Sequence, residues 1–289
     1  MAGKVLTIGK SDSSGAGGLQ ADIKTVLALG GYAMTATAAV AAQNTKGIAH
    51  IETLEPWFVE QQMRVVLEDA GLGMAEGGGA VKVGTLVNAG VIDAVANVLD
   101  KYRNADIPVV IDPSIIVRSG SASVREQIMD EESIALLKRR LFIRAAVLTP
   151  SLREAELLTG MKIRDQNDMR HATGMMRTLG AEAVLLKAGA VALAGGEKTL
   201  YLLAMDNGEK VYELPALDPQ RTLGLGSTLA SAVAVSLAQG LDLPFAVGRG
   251  INFLHGAADH AFGSKGTAAR PLNHAFAIEN AALSKAAKA

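Results

Sequence analysis

Residues 222–231 read TLGLGSTLAS. Gly224 and Gly226 flank Leu225, Ser227 follows, and a run of small apolar residues begins at once. Glycines at this spacing permit a backbone in which successive N–H groups converge. The first turn of the following helix adds unpaired donors and the positive end of its dipole. A phosphoryl group in transfer carries negative charge on its equatorial oxygens, and such a nest stabilises it. No Gly-Lys-Ser/Thr follows, so the stretch is not a Walker A loop. Taken alone it also reads as ordinary helix capping with close packing.

Other chemistry-bearing stretches stand after apolar runs. The runs KVLTIG (4–9), AVKVG (80–84), IPVVID (107–112), AAVLTP (145–150) and EAVLLKAG (182–189) are short and rich in Val, Ile and Leu. Amphipathic patterns separate them: LQADIKTVLALG ending at a glycine, EPWFVEQQMRVVLED opening at Pro56, and NAGVIDAVANVLDKYR. Strands alternating with helices predict a parallel sheet covered on both faces, whose strands are continuously apolar. Two later runs, 198–206 and 210–217, are joined by Asn207-Gly208, a hairpin signal that predicts an antiparallel pair at one edge. A helix is expected after Ser227 to about Gln239, stopping at Gly240, and a last one over 244–262. Residues 71–81, GLGMAEGGGAV, read as a surface excursion. The Ala- and Lys-rich tail from about Ser264 is expected to be partly mobile. Ligands of open parallel sheets lie at the carboxyl ends of the strands, where the polar stretches fall.

The chain has 289 residues, 49% of them hydrophobic and only 4% aromatic, which fits one α/β domain over 1–289. A net charge of −1 without like-charge blocks recommends neither nucleic acid nor an anionic membrane as partner. The absence of cysteine excludes disulfides, thiolate catalysis and cysteine-ligated metal. No apolar run approaches about 18 residues, and the first residues carry too short a one for a signal peptide, so a cytoplasmic protein is expected.

Seven segments in order, GKSDSSGAGGLQADIKT, VAAQNTKGI, VKVGTL, VVIDPSIIVRSGS, VLTPSLREAELLTG, AVLLKAG and TLGLGSTLASAVA, make the chain resemble the hydroxymethylpyrimidine/phosphomethylpyrimidine kinases of thiamine biosynthesis, in the ribokinase-like superfamily. The resemblance covers about residues 4–262. It implies a three-layer α/β/α domain with a mostly parallel sheet, ATP, Mg²⁺, and phosphoryl transfer to the hydroxymethyl group of a small heterocycle. It places pyrimidine contacts on Lys10, Asp22, Gln43, Thr85 and Ser114. It brings Lys187 to the nucleotide phosphates, has Glu154 order water around Mg²⁺, and lets Asp112 help the same ion. Gly224, Leu225, Gly226 and Ser227 become the catalytic anion loop. A homodimer is the expectation for a soluble enzyme of this kind.

Departures from the family accompany the matches. The family's loop usually reads Thr-His-Gly-Thr-Gly-Cys, and here Ser227 stands at the proton-accepting position. A serine alkoxide is inaccessible near neutral pH without an assisting base. Ser151 replaces Asn, Lys10 replaces Gly, and Thr85 and Ser114 replace Met and Val. An active pyrimidine kinase is the leading reading. A kinase for another hydroxymethyl heterocycle, pyridoxal-like or anionic, is a second. A binding protein with impaired catalysis is a third.

Overall fold

In the computed structural model, residues 2–72, 78–103, 105–118, 125–189, 198–218, 223–263, 269–276 and 278 are described. The chain runs β1 (Lys4–Asp12), α1 (Gly18–Ala28), β2 (Tyr32–Asn44), β3 (Gly47–Thr53), α2 (Pro56–Ala70), β4 (Gly79–Val83), α3 (Ala89–Lys101) and β5 (Val109–Ile111). It continues through β6 (Ile116–Arg118), β7 (Arg125–Gln127), α4 (Glu131–Arg140), β8 (Val147–Leu148), α5 (Leu152–Thr159) and α6 (Gln166–Thr178). The last elements are β9 (Val184–Gly189), β10 (Lys198–Met205), β11 (Gly208–Pro215), α7 (Leu225–Ala238) and α8 (Leu243–Asp259).

Nine strands form one sheet in the order β11-β10-β9-β8-β5-β4-β1-β2-β3. The six from β9 to β2 are parallel, while β10, β11 and β3 are joined antiparallel at the two edges. Strand alternation sends Leu6, Ile8, Val81, Val83 and Ile111 to a core under α2 to α6. It sends Val5, Ala80, Val110 and Val147 to a second core under α1, α7 and α8. The parallel strands are therefore apolar on both faces, as their composition predicts. The predicted hairpin is β10–β11, turning at Asn207-Gly208 with φ 129° at the glycine.

Several elements were not assigned from sequence. The long strand β2 is alanine-rich, a composition that favours helices by propensity; its strand form comes from pairing with β1 on one side and β3 on the other. Helices α4 to α6 also went unread, and so did the β6–β7 ribbon. α7 begins at Leu225, three residues earlier than the expected start after Ser227, so Ser227 sits inside its first turn. Of the glycine-rich excursion over 71–81, residues 73–77 lie outside the described residues, as does Thr222.

Part of the expected tail is packed. Phe262 N–H donates to the Pro271 carbonyl (2.9 Å), Asn273 N–H to that of Ala257 (3.0 Å), and the Thr228 hydroxyl lies 2.9 Å from His274 Nε2. Residues 264–268, 277 and 279–289 lie outside the described residues. Burial, helped by the Lys24 charge, pushes His274 down to about 4. The folded state thus excludes a proton that the unfolded chain binds below about pH 6.5. The associated stability is present above pH 6.5 and is lost as pH falls towards 4. Melting temperatures measured from pH 7 to pH 4 should fall, and His274→Gln should flatten that dependence.

Candidate active site

The carboxyl ends of β1, β2, β4, β5, β8 and β9 open towards one edge, and the N-terminus of α7 meets them there. Gly224 caps α7 in the left-handed region, φ 91°. A Cβ on it would lie 1.9 Å from the Ala16 carbonyl oxygen, so this loop and the loop after β1 press together. The first bond into the helix runs from Thr228 N–H to Gly224 O (3.0 Å). The N–H groups of Leu225, Gly226 and Ser227 precede it and have no acceptor among the described residues. Three unpaired donors at a helix N-terminus are chemically suited to an anion.

Gly226 is helical, so its role is spatial: a Cβ would stand 2.8 Å from Asp112 Oδ2. Asp112 follows β5 with its carboxylate directly against the loop. Its Oδ1 accepts from Lys187 Nζ (2.9 Å) at the end of β9, and its Oδ2 from the Ser114 hydroxyl (3.0 Å). Burial works to raise this carboxyl, but the Lys187 and Lys82 charges outweigh it and hold it below the ordinary range. Asp112, Ser114, Lys187 and the glycine loop are thus brought together. Ser114 has φ 46° and Val87, just past β4, has φ 73°. Left-handed backbone at non-glycine residues costs on the order of 1–3 kcal/mol and clusters where ligands are held.

The Ser227 oxygen accepts from Gly18 N–H (3.2 Å). Serine here ties α7 to the start of α1, a role its sequence position did not disclose. Asp12, unnoticed from sequence, organises that same loop by accepting from the Ser14 and Gly17 amides (both 2.8 Å).

On the other side, Lys10 is buried, 5% exposed, and its Nζ donates to Gln43 Oε1 (2.8 Å). A register shift between Gly9 and Lys10 in β1, and another between Ala42 and Gln43 in β2, accompany this contact. Burial pushes the Lys10 ammonium down, with Asp12 opposing. Thr85 is buried with its backbone beside Gly9.

Two assigned side chains are engaged elsewhere. Asp22 is fully buried, with both oxygens on Lys82 Nζ (3.0 and 2.9 Å) and Oδ1 also accepting from the Ser231 hydroxyl (2.8 Å). Burial pushes the Asp22 carboxyl up, and Lys82 and Ser231 oppose it. Lys82, the partner of Asp22, was not singled out from sequence; its signal is a lone lysine inside an apolar strand. Its Nζ stands beside Gly84, where a Cβ would come within 2.6 Å, so the pair packs directly against the backbone that precedes Thr85. Glu154 forms a capping box with Ser151: its Oε2 accepts from Ser151 N–H (2.9 Å) and hydroxyl (2.8 Å). Its Oε1 accepts from Ile115 N–H (2.9 Å). That carboxylate holds the β5–β6 connection to α5 and has little capacity left for an ion.

The profile of the phosphomethylpyrimidine kinase family matches residues 12–273. The chain belongs to this family. It is 36% identical over 274 residues to the hydroxymethylpyrimidine/phosphomethylpyrimidine kinase of Streptomyces coelicolor, covering 95% of each chain. It is also 36% identical over 286 residues to a bifunctional thiamine biosynthesis protein of Geobacter sulfurreducens, spanning 96% of this chain and 53% of that protein. The structure of Bacillus subtilis pyridoxal kinase in an ADP complex superposes with a TM-score of 0.80 at 28% identity, covering 97% of this chain and 100% of that one. Phosphomethylpyrimidine kinase from Clostridium difficile gives 0.72 at 33%, covering 87% and 97%. The fold is ribokinase-like and the chain is a kinase that transfers phosphoryl groups from ATP.

Proposed function

We propose that this kinase phosphorylates the hydroxymethyl group of an aminopyrimidine, hydroxymethylpyrimidine or its monophosphate, in thiamine biosynthesis or salvage. The observation that carries the reading is the set of free amides of Leu225, Gly226 and Ser227 facing the Asp112–Lys187 pair. In this reading the amides and Lys187 hold the phosphoryl oxygens, and Gln43, Lys10, Thr85 and Ser114 line the ring pocket. Asp22 contributes by fixing Lys82 beneath it. Phosphoryl transfer asks mainly for positioning and charge stabilisation, and these groups supply both. The substrate oxygen forms its bond to the γ-phosphorus as the bond to ADP breaks, and its proton leaves towards the Ser227 region or solvent.

The site suits Mg²⁺ in the way a kinase uses it. Among the described residues no group of three or more acidic or imidazole side chains is gathered. An ion would therefore draw on Asp112, phosphate oxygens and water, with Glu154 reached only through water. Mg²⁺ would supply charge neutralisation of the phosphate oxygens. The same reading carries a single domain over 1–289, a cytoplasmic location and a homodimer, with no nucleic-acid or membrane partner. One continuous sheet supports the first, and among the described residues no helix is long and apolar enough to cross a membrane. ADP formation from MgATP with hydroxymethylpyrimidine tests the proposal. Ligand binding without ADP formation would overturn it in favour of a non-catalytic binding protein.

Serine at position 227 makes two forecasts. Ser227→Asp should raise kcat by roughly tenfold or more, since a carboxylate accepts the hydroxyl proton and keeps the Gly18 N–H satisfied. Ser227→Ala should cost about 1 kcal/mol of stability through the orphaned Gly18 amide, read by denaturant unfolding.

The buried Lys10 supports a second reading, a substrate with an anionic or strongly accepting substituent. A cation held at 5% exposure beside Gln43 is not a solvated lysine. Lys10→Gly should then weaken anionic pyrimidines or pyridines selectively and flatten the salt dependence of KM. Improved KM for plain hydroxymethylpyrimidine with no change for anions would make Lys10 a steric plug and end this reading.

A further inference from the structure

Residues 269–276 return to the anion loop. Pro271 pairs in parallel with Leu223, the residue before Gly224. Ala269 packs with Leu223 and Ala16, whose carbonyl abuts Gly224. Arg270 lies between these two fastenings. It is 9% exposed, its Nε is buried without an acceptor, and no ion pair or hydrogen bond engages it among the described residues. Among the described residues the other cationic side chains at the site have partners: Lys82 has Asp22, Lys187 has Asp112, and Lys10 has Gln43. A buried guanidinium without a carboxylate is costly to the free protein, and its fork of donors matches phosphate oxygens.

We propose that Arg270 is a phosphate-binding residue of this site, meeting the same phosphate group that the α7 amides face. Paired chains lie about 4.8 Å apart, so an arginine one residue from the Leu223–Pro271 bridge has the length to reach a phosphate against Gly224. The proposal rests on the kinase reading for the presence of a phosphate. The phosphate belongs either to the nucleotide or to a phosphorylated pyrimidine, and both present the same dianionic oxygens. Arg270 adds charge and two directed donors to the cradle.

Calorimetric titration of the full chain with adenosine, ADP and hydroxymethylpyrimidine monophosphate tests it on wild type, Arg270→Gln and Arg270→Lys. Arg270→Gln should weaken a phosphate-bearing ligand by roughly tenfold or more and leave adenosine unchanged, with Arg270→Lys between. A loss confined to ADP assigns the nucleotide phosphate, and a loss confined to the pyrimidine monophosphate assigns the substrate's. Melting without ligand provides a second readout. Removal of an unpaired buried charge should hold or raise the melting temperature, whereas an arginine that only braces the C-terminal segment would lower it. Equal binding of all three ligands by both variants overturns the proposal, and so does a lowered melting temperature with unchanged ligand binding. Arg270-dependent ADP binding without turnover would leave Arg270 in place and remove the kinase reading. Turnover intact in Arg270→Gln with unchanged affinities would do the reverse.

Discussion

Gly224→Ala is expected to lower kcat by at least about a hundredfold, the scale of removing a donor from an oxyanion site. The residue holds φ 91°, and an added methyl would lie 1.9 Å from the Ala16 carbonyl oxygen, 3.1 Å from its carbon and 3.6 Å from Gly17 Cα. These are backbone atoms, so no side chain can swing aside. Either the loop shifts, which re-aims the amides of Leu225 to Ser227, or the turn at 15–18 shifts, which breaks the Gly18–Ser227 tie. Gly240→Ala is the matched control. It too is left-handed, φ 84°, but its Cβ would meet nothing within 4 Å. It should cost about 1 kcal/mol and leave kcat untouched. Steady-state kinetics with melting curves on both variants separates backbone strain from damage to the site. A Gly224→Ala enzyme with wild-type kcat would sink the anion-loop assignment.

Lys82→Met should destabilise the protein by about 3–5 kcal/mol, the cost of leaving one member of a buried ion pair without its counter-charge. Lys82 and Asp22 are 2% and 1% exposed, and only Ser231 would remain to solvate the carboxylate. The Lys82→Met/Asp22→Leu double variant should recover much of that loss, since an apolar pair of similar volume replaces two desolvated charges. Denaturant unfolding of the two single variants and the double variant gives the coupling. If the double variant is as unstable as the singles added together, the two charges act independently. The kinetics of Asp22→Asn then show whether the carboxylate also serves the substrate: a KM raised beyond the matching loss in Lys82→Met would say that it does.

The parallel centre of the sheet was legible because burial on both faces gives β1, β4, β5 and β9 short, mostly apolar runs, broken by the site lysines Lys10, Lys82 and Lys187. β2 was not, because in Thr-Ala-Thr-Ala-Ala-Val the alanines offset the strand preference of Thr35, Thr37 and Val40, and the strand form comes from its two neighbours. The capping box at Ser151–Glu154 was written plainly in the residue spacing, yet the family resemblance pointed its glutamate to a metal instead. Lys82 was read past as one polar residue in a short run, because its partner stands 60 positions away in the chain. The glycine loop is found by its spacing, but the helix begins three residues before the expected start after Ser227. Ser227 was expected at the proton-accepting position before the helix, and the structure has its hydroxyl oxygen tied to the Gly18 amide at the start of α1. Arg270 carried no local signal, since its meaning depends on the bridge between residues 223 and 271.

From Thr228 to Ser236 every residue of α7 is buried, between the sheet on one side and α1 and α8 on the other. Alanine, serine and valine let the helix lie close to all of them. On the proposed reading, the three amides that would hold a phosphate are therefore the tip of a helix embedded along most of its length. A ligand arriving there freezes almost no backbone freedom, so its affinity is not reduced by an ordering cost at this contact. Amide exchange in the turn that follows should be among the slowest in the protein, opening only when the whole domain does. Heat should then abolish phosphoryl transfer and the fold at one temperature, leaving no interval in which a folded enzyme has lost its anion cradle.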